Sequence, residues 1–393
     1  MPSHPPSPSQ PHPAARGTTS PTRYIDTPAG ADRFLASIGE PQHVAVDTEG
    51  ASFHRFVDRI YLLQISTASS NAILDPLGIG KPQRLGELLE STRSETVFHD
   101  ADYDLRLLFQ DYGWHARRLF DTRIAAQLLG IRAFGLAALL ERFLEVKLDK
   151  KHQRADWSMR PLPQDMLDYA TQDTMYLLPL RDRLADELER AGRMEWAREE
   201  FERLEGTRWG PDNSADAYQR IKGARDLTRR QLAILRELAA WRDGVAREMD
   251  RATFRVAGNE TLLELARIAP RTIEALREIR GMPRGVIERR GASVLDAIAR
   301  GAALPDDELP RFPRAPRWDR DPDFDARVNR LRSVREAVAQ RLDLEPGFLI
   351  SRERLEAIAR KRPASLDELM QADDLRRWQV DVMGAELLRA LAG

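Results

Sequence analysis

Short apolar runs with alternating faces fill the first half of the chain, and apolar residues at helical spacing fill the second. In His43-Val44-Ala45-Val46-Asp47-Thr48-Glu49-Gly50, two valines alternate with small or polar neighbours before a glycine, which predicts a short strand running out to a sheet edge. Ile60 to Ser66 and Ala72 to Pro76 repeat that pattern, and their short connections predict an antiparallel meander. Leu85, Leu88 and Leu89 then fall at helical spacing. Thr96 to His99 predicts another strand, and a helix starts near Asp104 with Leu105, Leu107 and Leu108. Phe120 to Thr122 predicts a last short strand feeding a helix from Ile124 to Leu129. Strands first, then alternating helix and strand, indicate an α/β domain with a mixed sheet. Gly135 to Leu144 is amphipathic and is expected to serve as packing support. Pro163 suits the first turn of a helix reaching Leu178, and Pro179 should interrupt it before Leu180 to Leu188 resume the pattern. Glu195 to Leu204 predicts the closing helix of this domain.

From about residue 220 every run is helical, and the segment has a copy. An ungapped shift of 93 residues pairs Arg242 with Arg335, Asp250 with Asp343, Leu262 with Leu355, Pro270 with Pro363 and Gly291 with Gly384. Coincidences of this kind at one offset indicate a duplicated helical domain. Between the copies, residues 303 to 322 carry Pro305, Pro310, Pro313, Pro316 and Pro322, the composition of an extended spacer. At the other end, residues 1 to 22 hold seven prolines and almost nothing apolar, so a disordered tail is expected there, and His4 and His12 are read as incidental.

Composition narrows the class. The 393 residues, 42% hydrophobic and 31% charged, suit a soluble protein of two or three domains. No apolar run approaches the roughly 18 residues of a membrane span, so no membrane association is expected. The absence of cysteine excludes disulfides and thiol catalysis, and fits a cytoplasmic setting. Net charge is only -1, so any nucleic-acid contact must rest on local patches. Residues 220 to 300 supply one, with 18 basic and 11 acidic residues. Residues 321 to 393, with 13 basic and 14 acidic, do not.

Candidate chemistry begins at the first strand. Side chains two apart point the same way in a strand, so Asp47 and Glu49 converge and repel unless a cation sits between them. His99-Asp100-Ala101-Asp102-Tyr103-Asp104 offers three more carboxylates. Asp100 and Asp102 suit turn and cap positions, whereas Asp104, early in a helix, is preferred as a ligand; His99 reads as a satisfied histidine at a strand end. Lys150, Lys151, Gln153, Arg154, Trp157 and Arg160 form a basic stretch that either grips phosphates and stacks a base or is a solvated loop with Trp157 tucked against the core. Tyr169 and Asp173, four apart, share one helix face. Asp47, Glu49, Asp104 and Asp173 in one cleft would require about two divalent cations, and oxygen-only ligands favour Mg²⁺ or Mn²⁺. Such a pair hydrolyses phosphodiesters, with Tyr169 to orient the water.

Val46-Asp47-Thr48-Glu49, Phe98-His99-x-Ala101-x-x-Asp104 and Tyr169-Ala170-x-x-Asp173 resemble, in order and spacing, the three exonuclease motifs of the DEDD superfamily in its tyrosine form. Lys151-x-Gln153-x-x-Asp156-Trp157-Ser158-x-Arg160-Pro161-Leu162 resembles the segment preceding the third motif in the ribonuclease D family, and the helical repeat is similar to the HRDC domain. The resemblance implies an α/β ribonuclease H-like exonuclease domain over 23–207, a first HRDC domain over 215–302, a linker over 303–322 and an HRDC-like domain over 323–393. It also implies a 3'-to-5' exoribonuclease that releases nucleoside 5'-monophosphates and trims tRNA precursor 3' ends, acting as a monomer. In that scheme Asp47 bridges two metal ions, Glu49 and Asp173 complete one site, Asp104 serves the other and Tyr169 positions the water. Lys151, Gln153, Trp157 and Arg160 would flank the RNA path, with the HRDC copies as accessory RNA-binding domains. The slightly acidic second copy departs from that role. The alternatives are a DNA exonuclease of the same superfamily and a non-catalytic nucleic-acid scaffold.

Overall fold

A computed structural model describes residues 21–148, 151–208, 216–313, 321–371 and 375–392. The proline-rich tail lies outside them except for its last two positions, as do residues 314–320 of the expected spacer.

Six strands build one mixed sheet: β1 Arg23–Ile25, β2 His43–Glu49, β3 Leu62–Ser66, β4 Asn71–Leu74, β5 Glu95–Phe98 and β6 Leu119–Asp121, in the order β1-β4-β3-β2-β5-β6. Strands β3 and β4 are antiparallel across the expected short turn, β2 and β3 are antiparallel across the longer segment 50–61, and β5 and β6 add in parallel on the other side of β2. Val44, Ala45 and Val46 in β2 are completely buried, because helices cover the sheet on both faces. Strand β1, which pairs in parallel with β4, was not foreseen; three residues are too short to show a period of two.

The helices of this domain are α1 Pro28–Ile38, α2 Pro76–Ile79, α3 Gln83–Leu89, α4 Asp102–Tyr112, α5 Thr122–Leu128, α6 Leu136–Leu144, α7 Gln164–Met175, α8 Leu177–Arg190 and α9 Met194–Glu205. The expected break near Pro179 falls at Tyr176, between α7 and α8, leaving Pro179 in the first turn of α8 where its missing N–H costs nothing.

The first helical domain holds α10 Arg229–Glu248, α11 Thr253–Val256, α12 Asn259–Ile268, α13 Ile273–Arg277 and α14 Arg284–Ala303. The second holds α15 Phe324–Leu342, α16 Pro346–Leu349, α17 Arg352–Lys361, α18 Leu366–Gln371 and α19 Arg377–Ala392. Helices α11 and α12 recur in α16 and α17 with both ends displaced by 93 residues, so the sequence repeat is a structural one. In the first copy, Gly301 lets α14 meet the backbone of α10: a Cβ there would lie 2.5 Å from the Ile234 Cα.

The expected extended spacer needs correction where it is described. Arg229 donates to the Leu309 carbonyl at 2.9 Å and Phe312 packs on the first helical domain's core, so this half of the segment folds back instead of spanning freely. The second helical domain shares one continuous core with the sheet domain. Its anchor is Trp378, buried and stacked 5.1 Å from Trp196, with its indole N–H donating to Glu200 at 2.9 Å. Arg376 pairs with the same carboxylate at 3.0 Å.

Candidate active site

Strand β2 ends where the sheet opens, and its period of two delivers Asp47 and Glu49 to the same side. Helix α7 crosses β2, β3 and β4 and brings Asp173 to them. Oxygen atoms of Asp47, Glu49 and Asp173 all lie within 4.8 Å of one another. Asp104, in the first turn of α4, lines the same cleft of about 690 Å³ but stands outside that tight group. One of its oxygens accepts the Thr48 N–H at 2.9 Å and the Thr48 hydroxyl at 2.6 Å. Thr48 thus ties the strand carrying two acids to the helix carrying a third.

Electrostatics shows the cost of this crowding. Burial, then the neighbouring Asp173, pushes the Asp47 carboxyl well above its ordinary value. Glu49 is raised by burial and by Asp47, Asp173 and Asp104 in turn. Asp104 rises through burial and Asp47, against the opposing Thr48 hydrogen bonds. Asp173 is pushed up to about 7 by burial and Asp104. A divalent cation reverses both causes, since it replaces lost hydration and neutralises the repulsion. Carboxylate oxygens alone, without histidine or thiolate, are the donor set of Mg²⁺ or Mn²⁺, so the residues present fit the expected ions.

The remaining candidates separate. Tyr169, one turn before Asp173 on α7, borders the cleft. Asp100 pairs with Arg123 and Asp102 with Arg106 at 2.9 Å, leaving Asp104 as the inward member of that trio. His99 is hydrogen-bonded to the Thr122 hydroxyl at 2.8 Å, and burial lowers it to about 4, which keeps the ring neutral. Gln153 lines the cleft, whereas Lys151 pairs with Asp165 at 3.2 Å.

Two expected RNA contacts are corrected. Trp157 is 2% exposed, enclosed by Tyr61, Leu62, Ile73 and Met166, with its ring 6.2 Å from that of Tyr169. It backs the tyrosine and offers no face to a base. Arg160 donates to Asp75 at 2.7 Å, to the Tyr61 carbonyl at 2.8 Å and to the Trp157 carbonyl at 2.8 Å. Those partners hold the loop to the sheet and leave the guanidinium no phosphate role. Helix α6, expected only to support packing, puts Leu136, Ala137 and Ala138 into the cleft wall. Phe53 also lines the cleft and carried no sequence signal; Arg154 does too, and the basic stretch around it was the only hint.

Carboxylates gathered at the end of an inner strand of a mixed sheet, with a tyrosine beside them, define a metal-dependent nuclease domain, and residues 22–189 match the family model described as 3'-5' exonuclease. Residues 231–298 and 324–391 each match the HRDC domain. The chain belongs to the ribonuclease D family. It is 33% identical to ribonuclease D of Acidiphilium cryptum over 81% of this chain and 79% of that protein. Against ribonuclease D of Granulibacter bethesdensis the identity is 31%, covering 88% and 86%. The crystal structure of Escherichia coli RNase D, described as an exoribonuclease involved in structured RNA processing, superposes with a TM-score of 0.73 at 27% identity, covering 95% of this chain and 99% of that one.

Proposed function

We propose that this 3'-to-5' exoribonuclease trims the 3' ends of tRNA precursors and other structured RNAs, releasing nucleoside 5'-monophosphates with the help of two divalent ions. The observation that carries the reading is the convergence of Asp47, Glu49 and Asp173 within 4.8 Å, with Asp104 in the same cleft. Asp47, Glu49 and Asp173 would hold one ion and Asp47 with Asp104 the other. When bound, the ions supply an activated water and neutralise charge on the scissile phosphate. Tyr169 orients that water from α7, and Trp157 behind it fixes the phenol ring. Gln153, in the cleft wall, would contact the incoming strand, with Lys151 as a further cation near its path. We take the enzyme to act as a monomer and place that action in the cytoplasm.

The test is digestion of a 3'-extended tRNA and of a matched DNA strand, each with Mg²⁺ and with EDTA. The expected result is stepwise loss from the RNA 3' end, mononucleotide products and no reaction in EDTA. Internal cuts, or faster removal of deoxynucleotides, would overturn the assignment.

A further inference from the structure

Two exposed phenylalanines from different domains meet, and one of them lines the cleft. Phe53, in the segment between β2 and β3, lines the cleft wall and is 45% exposed. Phe254, in α11 of the first helical domain, is 52% exposed. Their rings meet edge to face with centroids 6.2 Å apart. A docking contact would bury such rings; these keep about half their surface in water.

The pair is also held in place and flanked by cations. Arg255 donates to the Phe53 carbonyl at 2.5 Å, and Arg55 pairs with Asp250 at 3.0 Å. Asp58 anchors the same segment to the sheet domain by accepting the Ala51 N–H at 3.0 Å and the Tyr103 hydroxyl at 2.5 Å. Arg154 stands over the Phe53 ring at 5.5 Å and Arg255 beside the Phe254 ring at 5.9 Å. Both arginines are exposed. The cleft floor is acidic and suits cations, whereas its rim here is aromatic and basic. Exposed aromatic faces interleaved with arginines are what a single-stranded nucleic acid needs, since each base has a face to stack and each linkage a charge to neutralise.

We propose that Phe53 and Phe254 form a stacking subsite for one unpaired base of the RNA strand, upstream of the scissile phosphate, with Arg154 and Arg255 on its backbone. The subsite rests on the exonuclease reading for its substrate and gives the first helical domain a direct part in holding it. A base must be unpaired to lay its face on either exposed ring, so the pair favours single-stranded 3' ends over duplex.

Binding of a fluorescein-labelled single-stranded RNA decamer is measured by anisotropy, using the full chain carrying Asp47→Asn so that the strand stays whole. Adding Phe254→Ala should weaken binding about 10- to 100-fold, while Phe254→Tyr should keep most of it. Decamers with one abasic nucleotide at successive positions from the 3' end locate the contact. One position should cost about tenfold with Phe254 present and nothing further once it is alanine. A purely structural loss at the domain contact would instead weaken every decamer alike. Unchanged affinity in Phe254→Ala, or an abasic profile that is the same with and without Phe254, overturns the proposal. The two readings fail separately: binding through this pair with RNA left uncut by the parent chain, which keeps Asp47, loses the exonuclease assignment alone, and trimming by the parent chain with binding indifferent to Phe254→Ala loses the subsite alone.

Discussion

Thr48 donates both its backbone N–H, at 2.9 Å, and its hydroxyl, at 2.6 Å, to one oxygen of Asp104. The backbone bond would survive any substitution here, but the hydroxyl bond would not. Thr48→Val keeps the shape and the β-branch and removes one donor from a buried carboxylate. Groups that orient metal ligands in this way are typically worth about 10- to 100-fold in affinity or activity. The expected outcome is a fall of about tenfold in trimming rate with a higher Mg²⁺ requirement, and near-full activity for Thr48→Ser. A Mg²⁺ titration of the initial rate checks it.

Asp47 sits where function and stability oppose each other. Asp47→Asn should abolish Mg²⁺-dependent trimming, because the residue proposed to bridge both ions loses its charge. The same change removes a carboxylate whose charge burial and Asp173 both disfavour. In EDTA the variant should therefore melt higher than the parent, by a few degrees if about 1 kcal/mol is recovered. Calorimetry on both proteins in EDTA decides; a lower melting temperature would contradict the electrostatic account.

The same repulsion fixes a pH dependence. Asp173 is raised from about 3.8 to about 7, so the folded protein holds a proton that the unfolded chain has released. Its contribution to stability is complete below about 4 and is lost as pH rises through about 7. In EDTA, the melting temperature should fall between pH 5 and pH 8 on this account, and saturating Mg²⁺ should remove most of that fall. Melting curves across that range with and without Mg²⁺ provide the check.

Glu200 joins the second helical domain to the sheet domain. It is buried, accepts the Trp378 indole N–H and pairs with Arg376, while Glu199 accepts the Trp378 backbone N–H at 3.0 Å. Glu200→Ala removes the acceptor of the buried Trp378 indole N–H, and leaving such a donor unsatisfied costs about 1 to 3 kcal/mol. Hydrogen exchange should show loss of protection in α9 and α19, with α10 to α14 unaffected. This docking also gives the slightly acidic second copy a task that needs no contact with RNA.

Much of the site was legible because it depends on local periodicity. A spacing of two on a strand places Asp47 with Glu49, and a spacing of four on a helix places Tyr169 with Asp173, whatever surrounds them. The antiparallel meander and the duplicated helical unit were readable for the same reason, since short turns and a fixed offset are properties of the chain itself. Trp157 and Arg160 show the limit. Their composition suits an RNA contact and a structural clamp equally, and only Asp75, Tyr61 and Leu62, brought in from distant positions, decide for the clamp. Phe53 and Phe254 stand some 200 positions apart, and neither belongs to a pattern. Only the packing of the first helical domain on the segment after β2 brings Phe254 onto the Phe53 ring, which lines the cleft. The sequence by itself determined which candidate groups share a strand or helix face, through local geometry; the tertiary structure alone decided which side chains are exposed and which are enclosed, because exposure is a property of the whole packed chain.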